Sequence, residues 1–193
     1  MPFPDPVSLT SLWMPIVVSA VLVFLASFVT HTLLTYHMTD YRKLPAEDEV
    51  MDALRKFNLP PGDYLAPNPG SMANMRTKEF QEKRKRGPVF MATVFPSGIT
   101  GMGAQLAQWF VFCLVVSLFA GYLASRFVPP GAEYLRVSQL ASTTAFLGYT
   151  LARWSDVIWY RKSVSAALKA TFDGIIYGLL TGGTFGWYWT RMM

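Results

Sequence analysis

The chain has 193 residues, of which 52% are hydrophobic, 15% carry charge and one is cysteine. Soluble domains carry about 25% charged residues, so this composition excludes a disordered tail, a coiled coil and most soluble nucleic-acid binders. The lone Cys113 excludes an internal disulfide and a thiolate metal cluster, and the net charge of +5 acquires meaning only once its location is known.

Residues 1–8 contain no Lys or Arg and precede an uncharged run from Leu9 to Leu34. That run exceeds the roughly 7–15 apolar residues of a signal core, and no small-residue cleavage pattern follows it, so it reads as a retained first span over 9–34. Three further apolar blocks follow at 104–127, 140–160 and 171–189. Their interruptions are Arg126, then Arg153 with Asp156, then Asp173, all near block ends. About 20 apolar residues at 1.5 Å rise cross a hydrocarbon core of roughly 30 Å, so each block is long enough to span. The predicted fold is an all-α membrane protein, a single domain over 1–193. It has four transmembrane helices and a partly structured loop over 35–103 that contains short helices.

Within that loop, Pro45 followed by Glu47, Asp48 and Glu49 signals a helix start. Val50, Ala53, Leu54 and Phe57 recur at helical spacing as one apolar face, and Asn58 before Leu59-Pro60-Pro61-Gly62 stops the helix. A helix this short needs a surface to dock on. Pro60 to Gly70 reads as an extended strap, Ser71 to Arg86 as a charged helix stopped by Gly87-Pro88, and Val89 to Phe95 as a β-prone run. A turn at Ser97-Gly98-Ile99-Thr100-Gly101 leads to the second span. Lys83-Arg84-Lys85-Arg86 reads as a solvated flank in preference to a headgroup site. The loop's eight acidic residues against ten basic ones present no basic face to nucleic acid.

Lys and Arg alternate as 0, 10, 2, 4 and 1 across the N-terminal tail, the three connections and the C-terminal tail. The positive-inside rule then places 35–103 and 161–170 in the cytoplasm and both termini on the far side. Fourteen of the seventeen basic residues lie in those two connections when the helix-end Arg153 is counted with the second, so the +5 charge chiefly records orientation.

Gly174, Gly178, Gly182 and Gly186 form a stripe along the last helix, and Ser117, Gly121 and Ser125 a shorter one on the second span. Small residues at this spacing let helices approach closely in lipid. The two helices run the same way, so the stripes could pack directly, and packing within one subunit is preferred to a seam between copies. A short turn near Lys162 to Ser165 places Asp156 level with Asp173, with Arg153 and Lys169 each one turn away. The four are expected to form an intramembrane ion-paired staple; the alternative is a proton or cation site on the two carboxylates. His31 and His37 are six residues apart, hence expected on different faces. His37 and Asp40 are candidate metal ligands only if a further ligand comes from elsewhere, so no metal or other cofactor is expected. No metalloprotease, phosphate-loop or nucleophile-elbow pattern is present, and no residue is assigned a catalytic role. Trp154, Trp159 and Tyr160, with Trp187, Tyr188 and Trp189, read as interfacial anchors at the two ends of the last hairpin.

The segments DYRKLPAEDEVMDALR, LPPGDY, GPVFMATVFPSG, FLGY, DVIW and TGGTFGW together resemble a family of bacterial four-span inner-membrane proteins to which no activity is attached. The resemblance covers most of the chain after Asp40 and implies the inner membrane and four-span topology. Members often carry paired histidines where this chain has Tyr36-His37, a departure that weighs against a metal at His37.

The expected function is that of a non-enzymatic accessory or scaffolding subunit, with lipids and other membrane subunits or copies of itself as partners and no nucleic acid. Two alternatives stand beside it. One is a small oligomeric transporter or channel using Asp156 and Asp173; the other is an enzyme at the cytoplasmic face using His37, Asp40 and Asp156.

Overall fold

A computed structural model describes residues 7–98 and 101–192. Part of the expected N-terminal tail, and Ile99 and Thr100 of the expected turn, lie outside the described residues. The structure is mostly helical, as expected, but the chain divides into two compact units instead of one domain: Met1–Tyr41 with Gly101–Met193, and Arg42–Thr100.

The first unit is a four-helix bundle. After a 3₁₀ turn at Leu9–Leu12 come α1 (Trp13–Phe28), a π turn at Val29–Leu33 and a second 3₁₀ turn at Thr35–Thr39. Its other helices we call α4 (Gly103–Phe127), α5 (Tyr134–Tyr160) and α6 (Val164–Met192), with α2 (Glu47–Arg55) and α3 (Lys78–Arg86) lying in the second unit. Leu9–Leu33 and Gly103–Phe127 are each long and apolar enough to cross a membrane. Helices α5 and α6 extend the expected third and fourth spans to 27 and 29 residues, and their charged residues lie toward the ends.

Each helix contacts its two neighbours in the ring α1–α4–α5–α6, and α4 and α6 face each other diagonally. Helices α1 and α4 are antiparallel, as fixed by the Val7 amide on the Ser125 carbonyl at one end and Trp109 Nε1 on Ser27 Oγ at the other, and α5 and α6 form an antiparallel hairpin with Gly174 at Thr150 and Gly182 at Ser142. The buried face of α1 repeats at helical spacing through Leu12, Ile16, Ala20, Val23 and Ser27, and that of α4 through Cys113, Val116, Ser117, Ala120, Gly121 and Ala124. Buried positions on these helices are mostly small, while Val18, Leu25, Phe28, Phe119 and Tyr122 point outward.

The glycine stripe packs within the chain, but against α5 and not against α4. A Cβ on Gly178 would come 2.9 Å from the Ser142 carbonyl and one on Gly186 2.8 Å from the Tyr134 ring; on Gly174 it would overlap Thr150, and on Gly182 Ser142. The shorter stripe packs on α1: Ser19 donates to Ser117 at 3.1 Å, and Gly121 lies under Ile16. Parallel helices across a ring diagonal cannot meet along their length, which is why the two stripes stay apart.

The second unit holds α2, β1 (Gly62–Ala66), α3 and β2 (Phe90–Val94). The strands pair antiparallel with Tyr64 opposite Ala92, so the expected strap is a hairpin strand. Asn58 at φ 45° ends α2, and Gly87 at φ 62° ends α3. Thr77 caps α3 by accepting the Phe80 amide. Val50 and Leu54 face the hairpin across an apolar cavity of about 720 Å³ lined also by Tyr64, Leu65 and Val94. Of the four residues of the expected docking face, Val50 and Leu54 line this cavity, while Ala53 and Phe57 are exposed outside it.

Candidate functional site

Polar chemistry concentrates at the end of the bundle where α5 turns into α6. The π turn is closed by the Leu34 amide on the Val29 carbonyl. Such turns widen the helix and recur at functional sites. Here Thr30 donates to the Ser27 carbonyl at 3.2 Å, a side-chain contact that competes with regular helix bonding. Leu34 is extended, and the chain re-enters a 3₁₀ turn over 35–39.

This path overturns the expectation that the two histidines lie apart. Their rings stack with centroids 4.3 Å apart and planes 10° from parallel. Six residues along a continuous helix would turn the second ring away; a π turn, a break and a tighter helix fold it back.

His37 bridges two carboxylates, with Nδ1 2.7 Å from Asp40 Oδ2 and Nε2 2.8 Å from Asp173 Oδ2. The Tyr36 hydroxyl donates to the other oxygen of Asp173. Lys169 spends its three donors on the segment carrying these groups: Asp40 Oδ1 at 2.8 Å, Thr39 Oγ1 at 2.8 Å and the Tyr36 carbonyl at 2.6 Å. Burial works to raise the Asp40 carboxyl, but the hydrogen bonds from Lys169 and His37 prevail and hold it below the usual carboxylate range. Burial first, and then the Asp173 carboxylate, push the Tyr36 hydroxyl upward, keeping it a donor.

The expected staple is therefore rearranged. Lys169 pairs with Asp40 and not Asp173; Asp156 pairs with Lys162 at 2.8 Å; Arg153 makes no ion pair among the described residues. The cause is register. Thr150 sits against Gly174 and Ser142 against Gly182, so Asp156 and Asp173 are not level. The connection is confined to residues 161–163, with Arg161 at φ 54°, centring the hairpin nearer its start than expected. Asp173 is buried at 2% exposure, whereas the Asp156 side chain keeps 29%.

His31, His37 and Asp40 open onto a cavity of about 500 Å³ whose far wall carries Arg153, Asp156 and Lys162. Below it, Thr30 meets the Tyr177 hydroxyl at 3.0 Å, and Tyr177, Tyr149 and Trp109 form an aromatic layer. Trp154 donates to Thr171 across the hairpin at 3.0 Å. At the opposite end, Trp189 and Tyr188 are buried and donate to the Pro129 and Ser11 carbonyls, so they are bundle residues and not the expected anchors. Trp187 and Trp159 remain outward. Tyr36 and His31 were not among the expected site residues; the adjacency of Thr30-His31 and Tyr36-His37 at the end of the first apolar run was the available signal.

Comparison with family models, with curated proteins and with solved structures finds no match.

Proposed function

We propose that the chain is a four-span protein of the bacterial cytoplasmic membrane, with both termini outside, that acts as a non-enzymatic subunit packing against other membrane subunits. The observation that carries this reading is the inverted distribution of side chains in the bundle. Large apolar residues such as Val18, Leu25, Phe119, Leu147, Leu151, Ile175 and Leu179 face outward, while Ala, Ser, Gly and Thr fill much of the interior. A soluble monomer rarely exposes a continuous apolar belt of this extent, and in lipid it costs nothing. Between their charged ends, α5 and α6 present uncharged outward faces, because Asp173 is turned inward.

The subunit role is supported by the closed interior. From Cys113 and Val23 to Phe185 and Trp189 the centre is filled by fully buried side chains, so among the described residues no polar route along it favours a pore. Such a bundle acts through its surfaces. A photo-cross-linking residue at Phe119 or Val18 in native membranes is expected to give a protein adduct of one discrete mass; adducts to lipid alone would refute the subunit role.

A second reading, a membrane enzyme at the cytoplasmic face, is favoured by one observation: the cavity that gathers His37, Asp40 and Asp156. Turnover of a lipid or quinone substrate that is lost in Asp156→Asn would favour it over the first.

A further inference from the structure

The chain has two histidines in all, and the fold brings both to one buried carboxylate. A ring nitrogen of His31, a ring nitrogen of His37 and a carboxylate oxygen of Asp173 lie within 4.8 Å of one another. Around them the surroundings of a metal centre are already present. His31 Nδ1 lies 3.1 Å from the Ser27 carbonyl, which it reaches as a donor, leaving Nε2 with a free lone pair. His37 Nδ1 faces Asp40, which Lys169 holds in turn. Ligating imidazoles are oriented in this way, by giving their second N–H to a carbonyl or a carboxylate.

Without a cation the arrangement has a conflict. If Nδ1–H of His37 serves Asp40, then a neutral ring turns the lone pair of Nε2 toward an oxygen of Asp173, acceptor against acceptor at 2.8 Å. A proton on Nε2 resolves this, and so does a metal ion that takes the proton's place. Lys169 is committed to Asp40 and to the 36–39 backbone and hydroxyl, so it does not neutralise Asp173.

We propose that His31 Nε2, His37 Nε2 and Asp173 bind one divalent first-row transition ion of the zinc class, with an open coordination position facing the 500 Å³ cavity. Bonds of about 2.0–2.2 Å set ligand spacings of roughly 3.3–3.5 Å in a tetrahedral site, so the His37–Asp173 pair at 2.8 Å opens slightly while His31 closes in from within 4.8 Å. Two imidazoles and a carboxylate suit zinc or ferrous iron better than calcium or magnesium, which prefer all-oxygen shells. An ion on Nε2 replaces the hydrogen bond between His37 and Asp173. Arg153 and Lys162 on the cavity wall favour water or a small anion as the exchangeable ligand. The proposal goes beyond the subunit role and depends neither on it nor on the number of spans.

The test is titration of the untagged full chain in detergent with Zn(II), and with Co(II) as the spectroscopic probe. The expected result is one saturable site per chain, with ligand-field absorption in the range of low-coordinate cobalt. His31→Ala, at an exposed position, is expected to weaken binding by roughly 100-fold or more, and Asp40→Asn by roughly 10–100-fold. Asp156→Asn, on the cavity wall but outside the ligand set, is expected to leave the affinity unchanged. Uptake far below one ion per chain, or binding indifferent to His31→Ala, overturns the proposal.

Discussion

His37 Nε2 lies 2.8 Å from Asp173 Oδ2, joining residues 136 positions apart across the end of the bundle. The contact ties the segment after the first apolar helix to the last helix, at a carboxylate withdrawn from solvent. Removing the carboxylate strands the Tyr36 hydroxyl and one nitrogen of His37. Asp173→Ala is therefore expected to cost roughly 3 kcal/mol, read as thermal unfolding in detergent. Asp156→Ala breaks a pair whose lysine is 63% exposed and is expected to cost less than about 1 kcal/mol. Equal losses at the two positions would contradict the burial difference.

Lys169 is the clamp on the segment from Tyr36 to Asp40. Lys169→Met keeps most of the apolar stem and deletes three hydrogen bonds, for an expected loss of roughly 2 kcal/mol. The loss should be local: amide exchange over 35–41 accelerates while the centres of α4 and α5 keep their protection. Unchanged exchange there would mean that the lysine does not hold the segment.

Adjacent glycines on α6 separate packing from propensity. A methyl group on Gly182 would come 2.5 Å from the Ser138 carbonyl and overlap the Ser142 side chain, whereas one on Gly183 meets nothing closer than 3.5 Å. Gly182→Ala is expected to destabilise by roughly 1–3 kcal/mol through overpacking. Gly183→Ala is expected to be neutral, or to stabilise by up to roughly 1 kcal/mol as alanine replaces the poorer helix former. Unfolding midpoints of the two variants decide the matter.

Helix positions, the small-residue stripe, the end of α2 and the β-prone run before the second span were legible in the sequence, because each rests on local periodicity or on a local stop signal. What was not legible depended on register and on irregular backbone. Moving the hairpin centre by two or three residues separated Asp156 from Asp173 and freed Lys169 to reach Asp40. Nothing local encodes such a shift, since it is set by how Gly174 to Gly186 seat against α5. The meeting of the histidines depended on a π turn that helical counting does not contain. Partner choice for the stripes depended on ring order, and a repeat of small residues shows that a close neighbour exists without saying which helix it is.

In the proposed topology α5 and α6 cross the membrane together with the two more apolar helices, and the histidine–aspartate cluster lies at the cytoplasmic end. Single cysteines in a Cys113→Ser background, at Ser71, Ala132, Ser163 and Thr190, test it with a membrane-impermeant maleimide added to intact spheroplasts. Four spans give labelling at Ala132 and Thr190, with Ser71 and Ser163 reactive only after lysis. Labelling of Ala132, Ser163 and Thr190 from one and the same side would show that the last two helices do not span, and would contradict it.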